Sequence, residues 1–174
     1  GNGVANSTVF GGVAGDAMAR AVAKEGSFAD PDQSVIDASL DRAFSPLGKP
    51  STCLAEMREA LMDIMWNDVG ILRTGEGLAR GAAALDDLAA QVARSGVADG
   101  DRLNLENLVQ VSRGICAAAT ARTDSRGAHF REDYPSASDL DTSHYTVVRM
   151  KGGDIDISTA PVAFTRVKPG QTLL

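Results

Sequence analysis

The sequence predicts a mainly α protein centred on an antiparallel three-helix bundle, and three observations predict it. Between Leu54 and Arg122, apolar residues recur three and four positions apart in three long stretches, the period of one helix face. Residues 2 to 24 are dominated by glycine, alanine and valine, which suits an extra N-terminal helix. From Tyr145 onward, apolar and polar residues alternate as they do in short strands.

Asn2 to Lys24 reads as a helix carrying Gly11, Gly12, Ala14, Gly15 and Ala17. Each glycine inside a helix costs about 1 kcal/mol relative to alanine, so several together imply the close approach of another backbone. Glu25 to Gln33, with Gly26, Ser27, Asp30 and Pro31, has a linker composition and marks a domain boundary. Ser34 to Phe44 forms a short helix with Val35, Ile36, Leu40 and Phe44 as its apolar members, ended by the run from Ser45 to Pro50.

Ser51 or Thr52 then caps a longer helix, since a hydroxyl there accepts a free amide hydrogen. Its stripe is Leu54, Met57, Leu61, Ile64 and Met65. A second long helix runs from Glu76 to Arg94, with Leu78, Ala82, Leu85, Leu88, Ala89 and Val92 inside and Gly96 as its stop. The third spans Arg102 to Arg122 on Leu105, Leu108, Val109, Ile115 and Ala119. Short connections make the three antiparallel neighbours, in the manner of a spectrin-like repeat.

A polar, extended segment follows from Asp124 to Pro135, and then strands over Tyr145–Met150 and Pro161–Val167. Gly152-Gly153 turns the first of these into Asp154–Ile157. The expected organisation is an N-terminal helix over 1–25, a bundle domain over 26–135 and a short β-containing tail over 136–174.

The 174 residues, 44% hydrophobic and 23% charged, suit one compact domain with an appended segment. A net charge of −6 repels a phosphate backbone, which argues against nucleic acid as a partner. No apolar run approaches the roughly 20 residues of a bilayer span, and the start lacks a basic signal-peptide region. The chain is therefore expected to be soluble and cytoplasmic. It has no initiator methionine and opens at a helix start, as a piece of a longer protein would.

Cys53 and Cys116 are far apart, and His129 and His144, the two histidines, stand in no metal-ligand spacing. No phosphate loop, nucleophile elbow or complete dinucleotide fingerprint is present. No metal site and no catalytic residue are expected. Met57, Met62 and Met65, which with Trp66 could form a binding groove, read as core filler, and Asp86, Asp87, Asp99 and Asp101 as solvated helix ends.

Two segments carry more information. The amides of Gly3, Val4 and Ala5, at the start of the small-residue helix behind Asn2, can receive a carbonyl oxygen or an anion. From spacing alone, a capped helix packed through its glycine face is the better fit. The stretch from Gly1 to Gly15 resembles the segment that closes the flavin-binding domain of succinate dehydrogenase and fumarate reductase flavoprotein subunits. Asn2, Phe10, Gly11, Ala14 and Gly15 match in register, while Gly3 replaces a serine and Asn6 an aspartate.

Arg73-Thr74-Gly75-Glu76 resembles that family's turn between two bundle helices, although Leu72 stands where phenylalanine is usual. Leu103 to Leu108 resembles its Asn-Leu helix, and Ser125-Arg126-Gly127-Ala128-His129 through Arg131, Asp133 and Pro135 resembles its long signature, with Asp124 in place of glutamate. The resemblance covers residues 1 to about 135.

The resemblance implies an FAD-dependent enzyme moving hydride between flavin and a dicarboxylate such as succinate or fumarate. It would set Asn2, Gly3, Val4 and Ala5 beside the flavin C2 carbonyl, where the helix end stabilises negative charge on the reduced ring. Dinucleotide loop, substrate histidines and catalytic arginines would precede Gly1, so this chain alone is expected to hold no FAD and to catalyse nothing. Expected partners are the flavin-binding and substrate-capping domains, an iron-sulfur subunit and, through such subunits, a peripheral position at the inner membrane.

Val4, Val9, Phe10 and Val13 are expected to drive self-association, folding back or fraying of the first helix. Arg126, His129 and Arg131 are expected in a salt-bridged, solvent-facing loop that docks the bundle to its neighbour. The alternatives are the C-terminal region of an L-aspartate oxidase, which shares the Ser-Arg-Gly motif, and a non-enzymatic helical interaction module.

Overall fold

The computed structural model describes residues 2–26, 29–47, 49, 53–96, 100–165 and 167–171. It comprises two compact units, Gly1–Asp41 and Arg42–Leu174. The first holds α1 (Asn2–Glu25) and most of α2 (Gln33–Phe44). Asp32 starts α2 by accepting both the amide and the hydroxyl of Ser34, at 2.9 and 2.6 Å. In α1, Val4, Val9, Phe10 and Val13 are exposed, and within the unit no neighbour approaches Gly11, Gly12 or Gly15.

The second unit runs α3 (Leu54–Asn67), β1 (Leu72–Arg73), α4 (Gly75–Arg94), α5 (Gly100–Ala121), β2 (Phe130–Arg131), β3 (His144–Lys151) and β4 (Asp154–Pro161). The protein is thus mainly α with a C-terminal β-hairpin, as expected. The spectrin-repeat-like bundle is not what forms. Five helices are present among the described residues, and α3 has 14 residues against 20 in α4 and 22 in α5, too short to complete a bundle of three matched helices.

Helices α4 and α5 are antiparallel neighbours: Leu78 near the start of α4 meets Cys116 near the end of α5, and Asp86 pairs with Arg113 at 2.7 Å. The core is Leu61, Val69, Leu78, Leu85, Leu88, Val92, Leu105, Val109, Cys116 and Ala119, with Leu54, Met57, Ile64, Met65 and Ala89 packed against it. Gly81 is buried where α3 ends; a Cβ there would stand 3.0 Å from Val69 Cγ2 and 3.1 Å from Asp68 Cβ. Ala82, expected inside, faces out. Backbone proximity, and not side-chain apolarity, sets the inner face at this point.

A larger correction concerns α5. Its inner face is Arg102, Leu105, Val109, Ser112, Cys116 and Ala119, a strict three-four alternation, while Leu108 and Ile115 are exposed. Arg102, 3% exposed, is accommodated by Glu106 at 3.1 Å and by the Arg42 carbonyl at 2.9 Å. The opposite face of α5 meets the hairpin, where Gly114 lies beside Val148. Met62, read as core filler, is exposed at 53%, and its neighbour Trp66 at 78%. They lie off the face that carries Leu61 and Met65.

In the tail, β3 and β4 pair antiparallel from His144↔Pro161 to Lys151↔Asp154. Gly152 and Gly153 close the turn with φ of 63° and 96°, a left-handed pair that side chains resist. The second strand therefore follows that turn directly, and only Pro161 of the expected Pro161–Val167 strand belongs to it. The Ser51/Thr52 cap and the helix-end reading of Asp99 lie outside the described residues. Cys53 occupies the N-cap position of α3 without a side-chain cap bond. Ser95, one residue before the expected Gly96 stop, forms the C-cap of α4.

Leu85 is fully buried in α4. Leu85→Ala is expected to lower stability by about 2–5 kcal/mol through lost burial and the residual cavity, checked by the urea unfolding midpoint and slope; a loss below about 0.5 kcal/mol would show that this helix pair is not the core.

Candidate functional site

The signature residues converge at one end of the α4–α5 pair. Thr74 caps α4, its hydroxyl accepting the Gly77 amide at 3.0 Å. Strand β1 pairs in parallel with β2, Leu72↔Phe130 and Arg73↔Arg131, and the Glu132 amide donates to the Arg73 carbonyl at 2.8 Å. The signature loop is thereby held against the start of α4. That pairing joins residues 58 positions apart, and no local pattern in the chain announces it.

Arg131 is the centre of this arrangement. Its Nε and Nη2 donate to the two oxygens of Asp133, each at 2.7 Å, and Asp133 Oδ2 accepts the Gly75 amide at 2.8 Å. Its Nη1 donates to the carbonyls of Ala119 and Arg122, both at 3.0 Å, and of Thr120 at 3.4 Å. A cation thus sits on the C-terminal carbonyls of α5 and an anion on the first amide of α4, each at the helix end whose dipole favours it. Gly75 permits the contact, since a Cβ there would lie 3.0 Å from Asp133 Oδ2.

The fork holds the Asp133 carboxyl well down, at about 2, chiefly through the Arg131 hydrogen bonds with help from the Gly75 amide. The same bonds raise Arg131, whose guanidinium also lies 5.0 Å from the centre of the Tyr134 ring. Ser125 ties the loop to itself, donating to the Tyr134 carbonyl at 2.7 Å and accepting the Arg131 amide at 2.8 Å. The expectation of a solvent-facing loop therefore fails at Arg131, which is 3% exposed. Its work is to join two helices of its own unit.

Beside the fork, Arg126 and His129 face each other across a backbone bridge, with Gly127 at φ 60° in the turn between them. Arg73 Nη1 donates to His129 Nδ1 at 3.1 Å. Arginine only donates, so Nδ1 accepts and the ring proton of the neutral imidazole sits on Nε2. Burial holds His129 below its ordinary pKa, reinforced by the charges of Arg73, Arg122 and Arg131 against Asp124. Asp124, 3% exposed, takes a two-pronged bond from Arg122 at 3.1 and 3.0 Å, and Arg122 reaches the His144 carbonyl of β3 at 3.2 Å. This Arg122–Asp124 pair escaped the sequence reading, though its i,i+2 opposite charges just beyond an apolar stripe are the trace it leaves.

In the other unit, Gly3, Val4 and Ala5 occupy the first turn of α1 and are exposed. Asn2 is the first residue of that helix. Among the described residues no group of three or more potential metal ligands comes together. No helix there is long and apolar enough to cross a membrane.

Asp133→Asn and Arg131→Gln test the fork. At neutral pH, Arg131→Gln is expected to lower stability by about 2–3 kcal/mol, the scale of lost charge-assisted hydrogen bonds, read by chemical unfolding. Because Asp133 is depressed from 3.8 to about 2, its contribution is complete above about pH 4 and disappears as pH falls toward 2. Unfolding titrations should show that acid-limb loss in the parent and its attenuation in Asp133→Asn; coincident limbs would refute the fork.

Residues 58–173 match the family model described as fumarate reductase flavoprotein C-term. Among curated proteins, the chain is 28% identical over 180 residues to the fumarate reductase flavoprotein subunit of Mycobacterium tuberculosis, covering 94% of this chain and 31% of that protein. It is 29% identical over 143 residues to an uncharacterized FAD-dependent oxidoreductase of Methanocaldococcus jannaschii, covering 80% of this chain and 26% of that protein. Among solved structures, adenylylsulfate reductase of Archaeoglobus fulgidus superposes with a TM-score of 0.73 at 15% identity, over 86% of this chain and 28% of that one, a likeness of fold. The chain spans roughly a quarter to a third of the length of these relatives. With the family model spanning the helix pair, the fork and the hairpin, the chain belongs to the fumarate reductase flavoprotein C-terminal family.

Proposed function

We propose that this chain works as the non-catalytic C-terminal domain of an FAD-dependent dicarboxylate oxidoreductase of the succinate dehydrogenase and fumarate reductase type. The observation that carries the reading is the family match over residues 58–173, which includes the whole Arg131–Asp133 fork. The described residues support a bracing role better than a chemical one. The Arg131–Asp133 fork joins the ends of α4 and α5, and the Cys116 thiol is buried with its pKa raised by burial.

In this reading the second unit braces the flavin-binding and substrate-capping domains of the longer protein and presents a face to an iron-sulfur partner, with a peripheral position at the inner membrane through such partners. The exposed apolar residues Met62, Trp66, Ile71 and Leu72 are suited to such contacts. The exposed apolar residues of α1, including Val9 and Phe10, likewise await cover, from the adjoining flavin domain or from a second copy.

FAD would supply the hydride chemistry when bound. The residues of this chain that fit it are Asn2, Gly3, Val4 and Ala5, because they form the first turn of α1, exposed at Gly3, Val4 and Ala5, and the N-terminal end of a helix favours a ligand's negative charge. Their contribution is electrostatic: aligned amides and the positive helix end favour negative charge placed against them. No proton transfer is asked of them.

The proposal is tested in the longer flavoprotein, by succinate-dye and fumarate reductase assays with and without this region. Activity in both directions and its loss on deletion are expected; aspartate oxidation without succinate turnover would instead support the aspartate oxidase alternative. Val4→Pro removes one first-turn amide where proline is tolerated. It is expected to shift the flavin midpoint potential to more negative values in spectroelectrochemical titration, and an unmoved potential would remove the α1 tip from the flavin site.

A further inference from the structure

The Arg131 fork and the Arg122–Asp124 pair leave one cation of the signature unaccounted for. Arg126 donates a single hydrogen bond, from Nη2 to the Ser143 hydroxyl at 2.9 Å, and forms no ion pair among the described residues. Ser143 is itself committed, its hydroxyl donating to the Leu140 carbonyl. Of the acidic residues of the signature, Asp124 is engaged by Arg122 and Asp133 by Arg131, while Glu132 is exposed and forms no ion pair among the described residues. Arg126 therefore stands as an unneutralised charge in a chain whose net charge is −6.

Further donors gather around it. His129 Nε2 is buried without a hydrogen-bond partner, and by the tautomer argument it carries a proton to donate. The His144 ring makes no hydrogen bond or ion pair among the described residues. All three side chains line one open cavity of about 440 Å3, together with Arg122, which Asp124 pairs, and with Tyr145, Val162 and Phe164. Surplus donor capacity at Arg126 in a cavity that also carries apolar side chains makes a site that lacks a ligand oxygen and tolerates an organic body.

We infer that the cavity between the Arg126–His129 turn and the β3 side of the tail is a binding site for a small organic carboxylate, its carboxylate oxygens on Arg126 and its apolar portion against Tyr145, Val162 and Phe164. The guanidinium supplies the charge-assisted contact, with the His144 ring as a second polar neighbour. One free cation sets the preference for a single carboxylate, and the apolar side chains set the preference for a carboxylate that carries a hydrophobic substituent. The site lies wholly within the second unit, so it stands whether or not the bracing role does.

Phenylacetate, acetate and inorganic phosphate are the probes, titrated separately into the isotope-labelled 174-residue chain at constant ionic strength and followed by amide NMR. Phenylacetate is expected to give saturable shifts confined to the Arg126–His129 turn, Ser143–Tyr145 and Phe164, with a dissociation constant on the order of 1 mM, as fits a small ligand with few contacts. Arg126→Gln should weaken it by at least about tenfold. Phe164→Ala should reduce phenylacetate to the affinity of acetate while leaving acetate unchanged, and this arm decides the question if Arg126→Gln loses the native spectrum. Linear, scattered shifts, phosphate binding tighter than phenylacetate, or indifference to Phe164→Ala would each overturn the site.

Discussion

The second unit depends on the contact of one guanidinium and one carboxylate with the adjoining ends of two antiparallel helices. The last turn of α5 has carbonyls without partners, and the first turn of α4 has amides without partners. Arg131 answers the first need and Asp133 the second, and their mutual fork makes the two answers one unit. Either residue alone would leave a charge with half its partners. Together they convert two frayable helix ends into a closed junction, which explains why arginine and aspartate two positions apart serve here and lysine would not: only a planar fork reaches a carboxylate and a helix end at once.

Reading the chain residue by residue recovered the helices because their apolar periodicity is long and their connections are short. It failed at places where backbone geometry or charge outranks apolarity. The inner face of α5 includes Arg102 and Ser112 in step with Leu105 and Val109, and the spacing was there to be seen. Choosing residues by hydrophobicity pulled in Leu108 and Ile115, which the same spacing excludes. Gly81 was overlooked for the same reason, because closeness of approach leaves no hydrophobic signal. The hairpin turn was legible from Gly152-Gly153, whereas the extent of β4 was not, since register follows from pairing with β3 and not from the alternation at Pro161–Val167.

The signature loop was legible as a motif and opaque as a mechanism. Its residues were visible, but their partners lie on other elements: Gly75 on α4, Ala119 on α5, Arg73 on β1. Sequence proximity suggested Glu132 and Asp133 as equivalent acidic neighbours of the arginines. Only Asp133 takes that part, while Glu132 contributes its backbone amide to the pairing with β1 and leaves its side chain exposed. The loop thus separates into an inward half that locks the helices and an outward half, at Arg126 and His129, where donors remain in surplus.

The parallel pairing of Leu72–Arg73 with Phe130–Arg131 also bears on the order of events during synthesis. Both helices that the junction closes are translated before the residues that close it. A nascent chain can assemble α4 against α5 through their apolar faces, but the clasp arrives later, once the residues beyond α5 fold back onto the start of α4. Until Asp133 has emerged from the ribosome, the helix pair is held by its apolar faces and the Asp86–Arg113 pair, without the fork that joins its ends.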